Sequence, residues 1–357
     1  MADSATMLSR FRATLVGAVV GDCIGANFED RWLPFVPWND IKKVLQHMES
    51  LSPGDDELPF TDDTAMTRSV ASSLTEHGAF HSRDMAERFT SEYFREPGRG
   101  YGRAVTVVFK KLKESNFSDV YKPASEQFNG SGSYGNGGAM RISPVALFAK
   151  KYNSFEVLKD VCEKTTKLTH SNKNGILGAV LQASAVDLAL SNQGPPADLN
   201  VDHFVDKLIA RIQPLENEAT EKSETMQPYT DKLLKMKEFL KTGKSNSEQI
   251  AEDLGNDVSA LDSVPTAIYS FLRAQESIEG LPVKVPFERA VLYAITMGGD
   301  TDTIASMTGA IAGALYGLEN IPTTWQIFCE GVPDAIKQAD ELFKLYKKAE
   351  GQSGSTA

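Results

Sequence analysis

Clustered positive charge is absent from this sequence. The net charge is −11 and no run of Lys or Arg interrupts it, which argues against broad binding to a nucleic-acid backbone and confines any nucleotide contact to a local pocket. Cysteine is scarce: Cys23, Cys162 and Cys329 show no CxxC spacing and cannot all pair. Neither a disulfide framework nor a zinc site is indicated, and a reducing compartment fits. Long hydrophobic runs are missing too. The apolar stretch from Leu15 to Ile24 is broken by Asp22 and is too short to span a bilayer, so a soluble protein with no membrane partner is expected. A mitochondrial leader could draw on Arg10 and Arg12, with Asp3 out of character. Strand-like alternation is nearly absent, which excludes a fold built on sheets.

What remains is helix periodicity. At 357 residues, 41% hydrophobic and 24% charged, the chain can bury a large core. Apolar spacing predicts helices over 6–20, 64–77, 83–95, 102–114, 154–168, 174–191, 202–212, 229–241, 247–253, 260–275, 286–297, 303–317 and 333–348. The expectation is one all-α domain over 1–349, with 191–252 a peripheral helical elaboration and 350–357 a disordered tail.

Two acidic clusters stand far apart, Thr61-Asp62-Asp63-Thr64 and Gly298-Gly299-Asp300-Thr301-Asp302-Thr303, each at the start of a helix-like run. Either cluster alone is accounted for by helix capping and the helix dipole. A second or third carboxylate there only repels the first unless a cation is present. Together they read as one site for a hard divalent ion such as Mg²⁺, Ca²⁺ or Mn²⁺. A helix-loop-helix calcium loop counted from Asp300 would put Ile304, Ala305 and Ile311 at key positions, so the ligands must converge from distant segments.

The run from Phe128 to Arg141 holds five glycines between Gly130 and Gly138. Its backbone could form a nest for phosphate, or it could be a flexible connector. Gly130, Gly132 and Gly135 satisfy GxGxxG formally, but no apolar strand precedes them and no Walker lysine follows. Phe128 and Tyr134 could stack on a base or simply pack. His170 ends a helix-like stretch, where it could meet a phosphate or the helix dipole. No HExxH pattern or other signal for nucleophilic hydrolysis is found. Glu29 follows Gly21-Asp22 and Gly25, free to reach a cleft.

Gly21-Asp22 to Glu29, the two acidic clusters and the run Gly132 to Met140 together resemble the ADP-ribosylglycohydrolases across almost the whole chain. The wording from Gln127 to Arg141, Leu168-Thr169-His170 and Ser263-Val264-Pro265 to Tyr269 is similar to the branch acting on serine-linked ADP-ribose; the interval 191–250 resembles the family only loosely. The resemblance implies an orthogonal all-α bundle with two Mg²⁺ ions in a central cleft. It implies Thr61, Asp62, Asp63, Asp300, Asp302 and Thr303 as metal ligands, with Glu29 a further, movable one. Gly132, Ser133, Tyr134, Gly135, Asn136 and His170 would hold the diphosphate, and Phe128 with Tyr134 would flank the adenine. Asp300 or Asp62 would activate water, with Glu29 gating the site. The implied substrates are serine-linked ADP-ribose on proteins such as histones, ADP-ribose polymer and O-acetyl-ADP-ribose, all releasing ADP-ribose. A monomer in nucleus and cytoplasm, with a mitochondrial matrix fraction, fits those substrates. Two other readings stand beside this one: an arginine-linked ADP-ribosylhydrolase, and a non-catalytic ADP-ribose-binding or crystallin-like protein.

Overall fold

Backbone contact between the first long helix and a late one organises the molecule. The computed structural model describes residues 4–29, 35–52, 54–218, 226–244 and 246–353. In chain order the helices are α1 (Ser4–Gly25), α2 (Trp38–Ser50), α3 (Asp62–His77), α4 (Ser82–Arg95), α5 (Arg103–Glu114), α6 (Lys122–Ser125), α7 (Ser143–Ala149), α8 (Phe155–Lys167) and α9 (Lys173–Leu190). They continue as α10 (Val201–Glu218), α11 (Pro228–Thr242), α12 (Ser247–Leu254), α13 (Val264–Arg273), α14 (Pro286–Thr296), α15 (Thr301–Tyr316), α16 (Thr323–Phe328) and α17 (Val332–Ser353). Among the described residues there is no strand ladder, only isolated bridge pairs, and the all-α class expected from periodicity is what the chain adopts.

α1 and α15 lie antiparallel with almost no side chain between them. A Cβ placed on Gly17 would sit 2.1 Å from the Gly309 carbonyl oxygen, one on Gly21 2.2 Å from that of Ala305, and one on Gly313 1.9 Å from that of Ala13. Only glycine permits such an approach. The register carries functional weight, because it sets Gly25, the last residue of α1, against Asp302 in the first turn of α15. Thr301 Oγ1 closes the corner by donating to the Gly25 carbonyl at 2.9 Å.

The remaining helices bury their apolar faces around this pair. α3, α7, α9, α13, α14 and α17 all contribute to one continuous core running from Met7 to Phe343. Arg10 is buried and donates to the Asn192 carbonyl at 2.8 Å, and Arg12 pairs with Asp340 at 2.6 Å, so both tie α1 into the fold. α2, α6, α7 and α16 were not anticipated. α7 is buried on every side and therefore shows no periodic face. The helix expected over 260–275 begins only at Val264, because Pro265 in its first turn has no N–H to donate to the Leu261 carbonyl; before it, Ala260 N–H donates to the Tyr134 carbonyl at 3.0 Å. α10 to α12 occupy the interval 191–252, of which 219–225 and 245 lie outside the described residues. α17 extends to Ser353, into the segment expected as a tail, whose last four residues also lie outside them. No described helix is long and apolar enough to cross a membrane.

Candidate active site

The floor of the site is where the α1–α15 corner meets the start of α3. Asp22, inside the last turn of α1, reaches the N-terminus of α3 39 to 42 residues further on. Its carboxylate accepts from Thr61 N–H at 3.1 Å, Thr64 N–H at 3.1 Å and Thr64 Oγ1 at 2.6 Å. It thereby satisfies backbone donors that a helix start leaves open. Thr61 Oγ1 takes Asp63 N–H at 3.3 Å, so Thr61 is the N-cap of α3. With the caps supplied by Asp22 and Thr61, Asp62 and Asp63 project their carboxylates into the cleft.

α15 contributes from the opposite side. Gly298 and Gly299 both take positive φ, 68° and 65°, and the turn they make is pinned by Asp300 N–H donating to the Asn256 carbonyl at 2.8 Å. The turn delivers Asp300 and Asp302 beside the α3 acids. Oxygens of Glu29, Asp300 and Asp302 come within 4.8 Å of one another. Thr303 Oγ1 donates to Asp63 Oδ1 at 3.2 Å, while Asp63 Oδ2 is buried without any hydrogen-bond partner. The two distant clusters of the sequence thus form one site.

The electrostatics are those of a site awaiting positive charge. Burial pushes the Asp62 and Asp63 carboxyls well above the usual range, and the nearby Asp302 adds to it. Asp302 is raised likewise, by burial and then by Asp300; Asp300 itself is raised by burial against the opposing hydrogen bonds to its carboxylate. Such a group of carboxylates must take up either protons or a cation. The donor set is all hard oxygen, and the orphaned Asp63 Oδ2 lacks the partner a cation would supply, so the residues fit a divalent metal.

A cavity of about 360 Å³ rises from this floor, lined by Glu29, Asp62, Asp63, Asp300, Asp302 and Thr303 on one side and Ser133, Gly135, Asn136, Gly137, Arg141 and His170 on the other. A larger groove of about 680 Å³ lies between α3, α4 and α17, but its arginines and acids pair with one another, Arg68 and Arg95 with Glu92 among them. The smaller cavity is therefore the chemical site. Thr61, Phe128, Gly132 and Tyr134 do not line it. Phe128 and Tyr134 stand outside, 54% and 53% exposed, with ring centroids 6.2 Å apart and tilted by 37°. Phe128 and Asn129 both hold left-handed backbone, φ 50° and 58°, a conformation bulky residues rarely keep. Asn136 is turned inward: its Nδ2 donates to Asp300 Oδ2 at 2.6 Å and Ser263 Oγ at 3.2 Å, coupling the glycine loop to the acids.

Three residues of the site escaped sequence reasoning. Asp22 left one trace, a carboxylate inside an apolar helix. Arg141, fully buried, lies over the Phe89 ring at 4.5 Å, and burial lowers its pKa to about 9. Tyr101 lines the cavity with its hydroxyl buried and unpartnered, and its pKa is raised by burial and then by Asp62. No spacing signal marks either of these two.

The ADP-ribosylglycohydrolase family profile matches residues 3–352. Curated relatives include ADP-ribosylhydrolase ARH3 of Danio rerio, 45% identical over 95% of this chain and 91% of that protein. ARH3 of Homo sapiens is 40% identical, with 97% and 96% covered. A solved structure described as an ADP-ribosylglycohydrolase-related protein complex aligns with a TM-score of 0.66 over 96% of this chain and 99% of its own, at 20% identity, a likeness of fold.

Proposed function

This chain belongs to the ADP-ribosylglycohydrolase family, and from that premise we propose that it is a Mg²⁺-dependent hydrolase that cleaves serine-linked ADP-ribose from proteins such as histones. The observation that carries the reading is the convergence of Glu29, Asp300 and Asp302 within 4.8 Å beside the unpartnered Asp63 Oδ2, under a cavity walled by the glycine loop. The similarity to relatives named ARH3 supports the choice of substrate branch. Glu29, Asp62, Asp63, Asp300, Asp302 and Thr303 would hold two Mg²⁺ ions, with Thr61 at the edge of the set. When bound, the ions supply Lewis acidity and positive charge toward the sugar hydroxyls and the departing oxygen.

The bond that breaks joins the anomeric carbon of the distal ribose to the serine oxygen, and positive character builds on the sugar as it does so. The water oxygen bonds to that carbon and keeps one proton as the new sugar hydroxyl, the other water proton passes to a carboxylate, and the serine oxygen leaves as a hydroxyl by taking that proton back from the carboxylate directly or through solvent. Asp62 and Asp300 are the candidate bases. Asp300 is fixed by the Asn136 amide on Oδ2, which orients its other oxygen. Glu29, exposed at the rim, is the ligand best placed to move as substrate enters. Ser133, Gly135 and His170 on the far wall hold the diphosphate, and the exposed Phe128 and Tyr134 lie beyond it for the adenine. The same cut would release ADP-ribose from its polymer and from O-acetyl-ADP-ribose.

Release of ADP-ribose from a serine-ADP-ribosylated histone peptide, in Mg²⁺ and in EDTA with an arginine-linked peptide alongside, tests this. Release from the serine peptide alone, and only with Mg²⁺, is the expected result. Release from the arginine peptide instead would reassign the linkage, and ADP-ribose binding with no release from either would make the protein a binder.

A further inference from the structure

Behind the cleft, Arg141 and Thr169, to which the reaction above gives no role, extend from His170 as a hydrogen-bond chain. Arg141 Nη2 donates to Thr169 Oγ1 at 2.6 Å, and Thr169 Oγ1 lies 2.7 Å from His170 Nδ1. A guanidinium has donors only, so the direction of the first bond is fixed. Thr169 is wholly buried, and its hydroxyl owns one proton, for which His170 Nδ1 is the acceptor at hand. Were Nδ1 protonated, two donors would point at Thr169 Oγ1 and the hydroxyl proton would be stranded in a buried setting. Donation from Arg141 also polarises the hydroxyl and strengthens its own donation. Burial, with the neighbouring Arg141 charge, holds the His170 pKa down to about 3, so the ring is neutral and carries one proton. That proton is left for Nε2.

The far edge of the ring meets the glycine loop. A Cβ on Gly137 would fall 2.7 Å from His170 Cε1 and 2.9 Å from Nε2, and one on Gly135 3.4 Å from Nε2, so glycine at 137 is what lets the ring stand there. His170 and Arg141 both line the cavity. We propose that Arg141 and Thr169 are positioning residues that lock His170 as the neutral Nε2–H tautomer, presenting one fixed, uncharged donor to an anionic group of the ligand in the cleft. The identity of that group as a diphosphate rests on the reading of the cleft given above. A mobile or charged imidazole would lose either the orientation or the tolerance of the adjacent guanidinium; the locked neutral ring keeps both.

Long-range proton–nitrogen correlation on the full chain labelled at its five histidines, with His170 assigned through His170→Gln, reads the tautomer directly. At neutral pH the expected pattern is a protonated Nε2 and an unprotonated Nδ1. In Thr169→Val the His170 signals should move toward an average of both tautomers and ADP-ribose, titrated calorimetrically, should bind on the order of tenfold more weakly. Thr169→Ser should restore both. A protonated Nδ1 or an imidazolium in the unmodified protein, or a Thr169→Val variant with tautomer and affinity unchanged, would overturn the proposal. If the tautomer is as expected but ADP-ribose does not bind, the lock stands and the assignment of its ligand is overturned.

Discussion

Asp22 and Asp302 are buried aspartates at the same floor, and the same change to asparagine acts on them in opposite ways. Asp22 holds the start of α3 through Thr61 N–H, Thr64 N–H and Thr64 Oγ1, and asparagine would turn an amide donor toward those donors. Asp22→Asn should cost about 1–3 kcal/mol in urea unfolding, with turnover falling as the α3 acids lose their footing. Asp302 is raised by burial and by Asp300, so a neutral side chain there relieves repulsion. Asp302→Asn should leave the metal-free protein as stable as before, or more so, while abolishing turnover. Unfolding in EDTA paired with an activity assay in Mg²⁺ separates the two; a destabilised Asp302→Asn would mean that the carboxylate caps its helix. The difference between these residues was not legible in the sequence. The supernumerary acids were visible as a group, but the partners of Asp22 lie 39 to 42 positions away and two of the three are backbone N–H groups, which no residue type announces.

Among the elements, the α1–α15 pair sets how the acids meet. A side chain on Gly309 would have its Cβ 2.0 Å from the Gly17 carbonyl oxygen, so the helices must part to admit it. Gly309→Val should destabilise by roughly 1–3 kcal/mol or more and weaken metal binding as well, since Gly25 and Asp302 would no longer abut. Thermal unfolding with and without Mg²⁺ checks both parts; an unchanged melting temperature would show that the contact tolerates slippage. Periodicity located helices such as α4, α5 and α8, each of which buries one face. It failed at α7, which has no polar face, and it ran α13 too early. The residues just before α13 instead pair with the glycine loop, through Ala260 N–H to the Tyr134 carbonyl and Asn136 N–H to the Val258 carbonyl. Pro265, a local signal that apolar periodicity ignores, bars a helical turn before it and leaves those backbone groups to the loop.

For the whole molecule, the carboxylate cluster links stability to pH and to metal. Asp62, Asp63 and Asp302 have raised pKa values in the folded, metal-free chain, first by burial and then by a neighbouring carboxylate, that of Asp302 for the first two and that of Asp300 for the third. The folded state therefore holds protons that the unfolded chain releases above about pH 4. Their contribution to stability is present below that pH and is lost as pH climbs toward the raised values. A cation takes the place of those protons, so the gain in melting temperature from Mg²⁺ over EDTA should widen between about pH 5 and pH 8. A gain that narrows with rising pH would place the metal elsewhere. The pairing of residues some 240 positions apart was inferable from charge, since acids crowded at two helix starts repel one another unless protons or a shared cation offset them. The second wall was less legible, because the inward turn of Asn136 and the burial of Arg141 depend on packing that composition does not encode.

The most direct test is calorimetric titration of Mg²⁺ into the metal-free full chain and into Asp302→Asn, each confirmed helical by circular dichroism. Saturable binding to the unmodified protein and its loss in the folded variant is the predicted result. Equal binding by both, or none by the unmodified protein, would contradict a catalytic metal centre built from these acids.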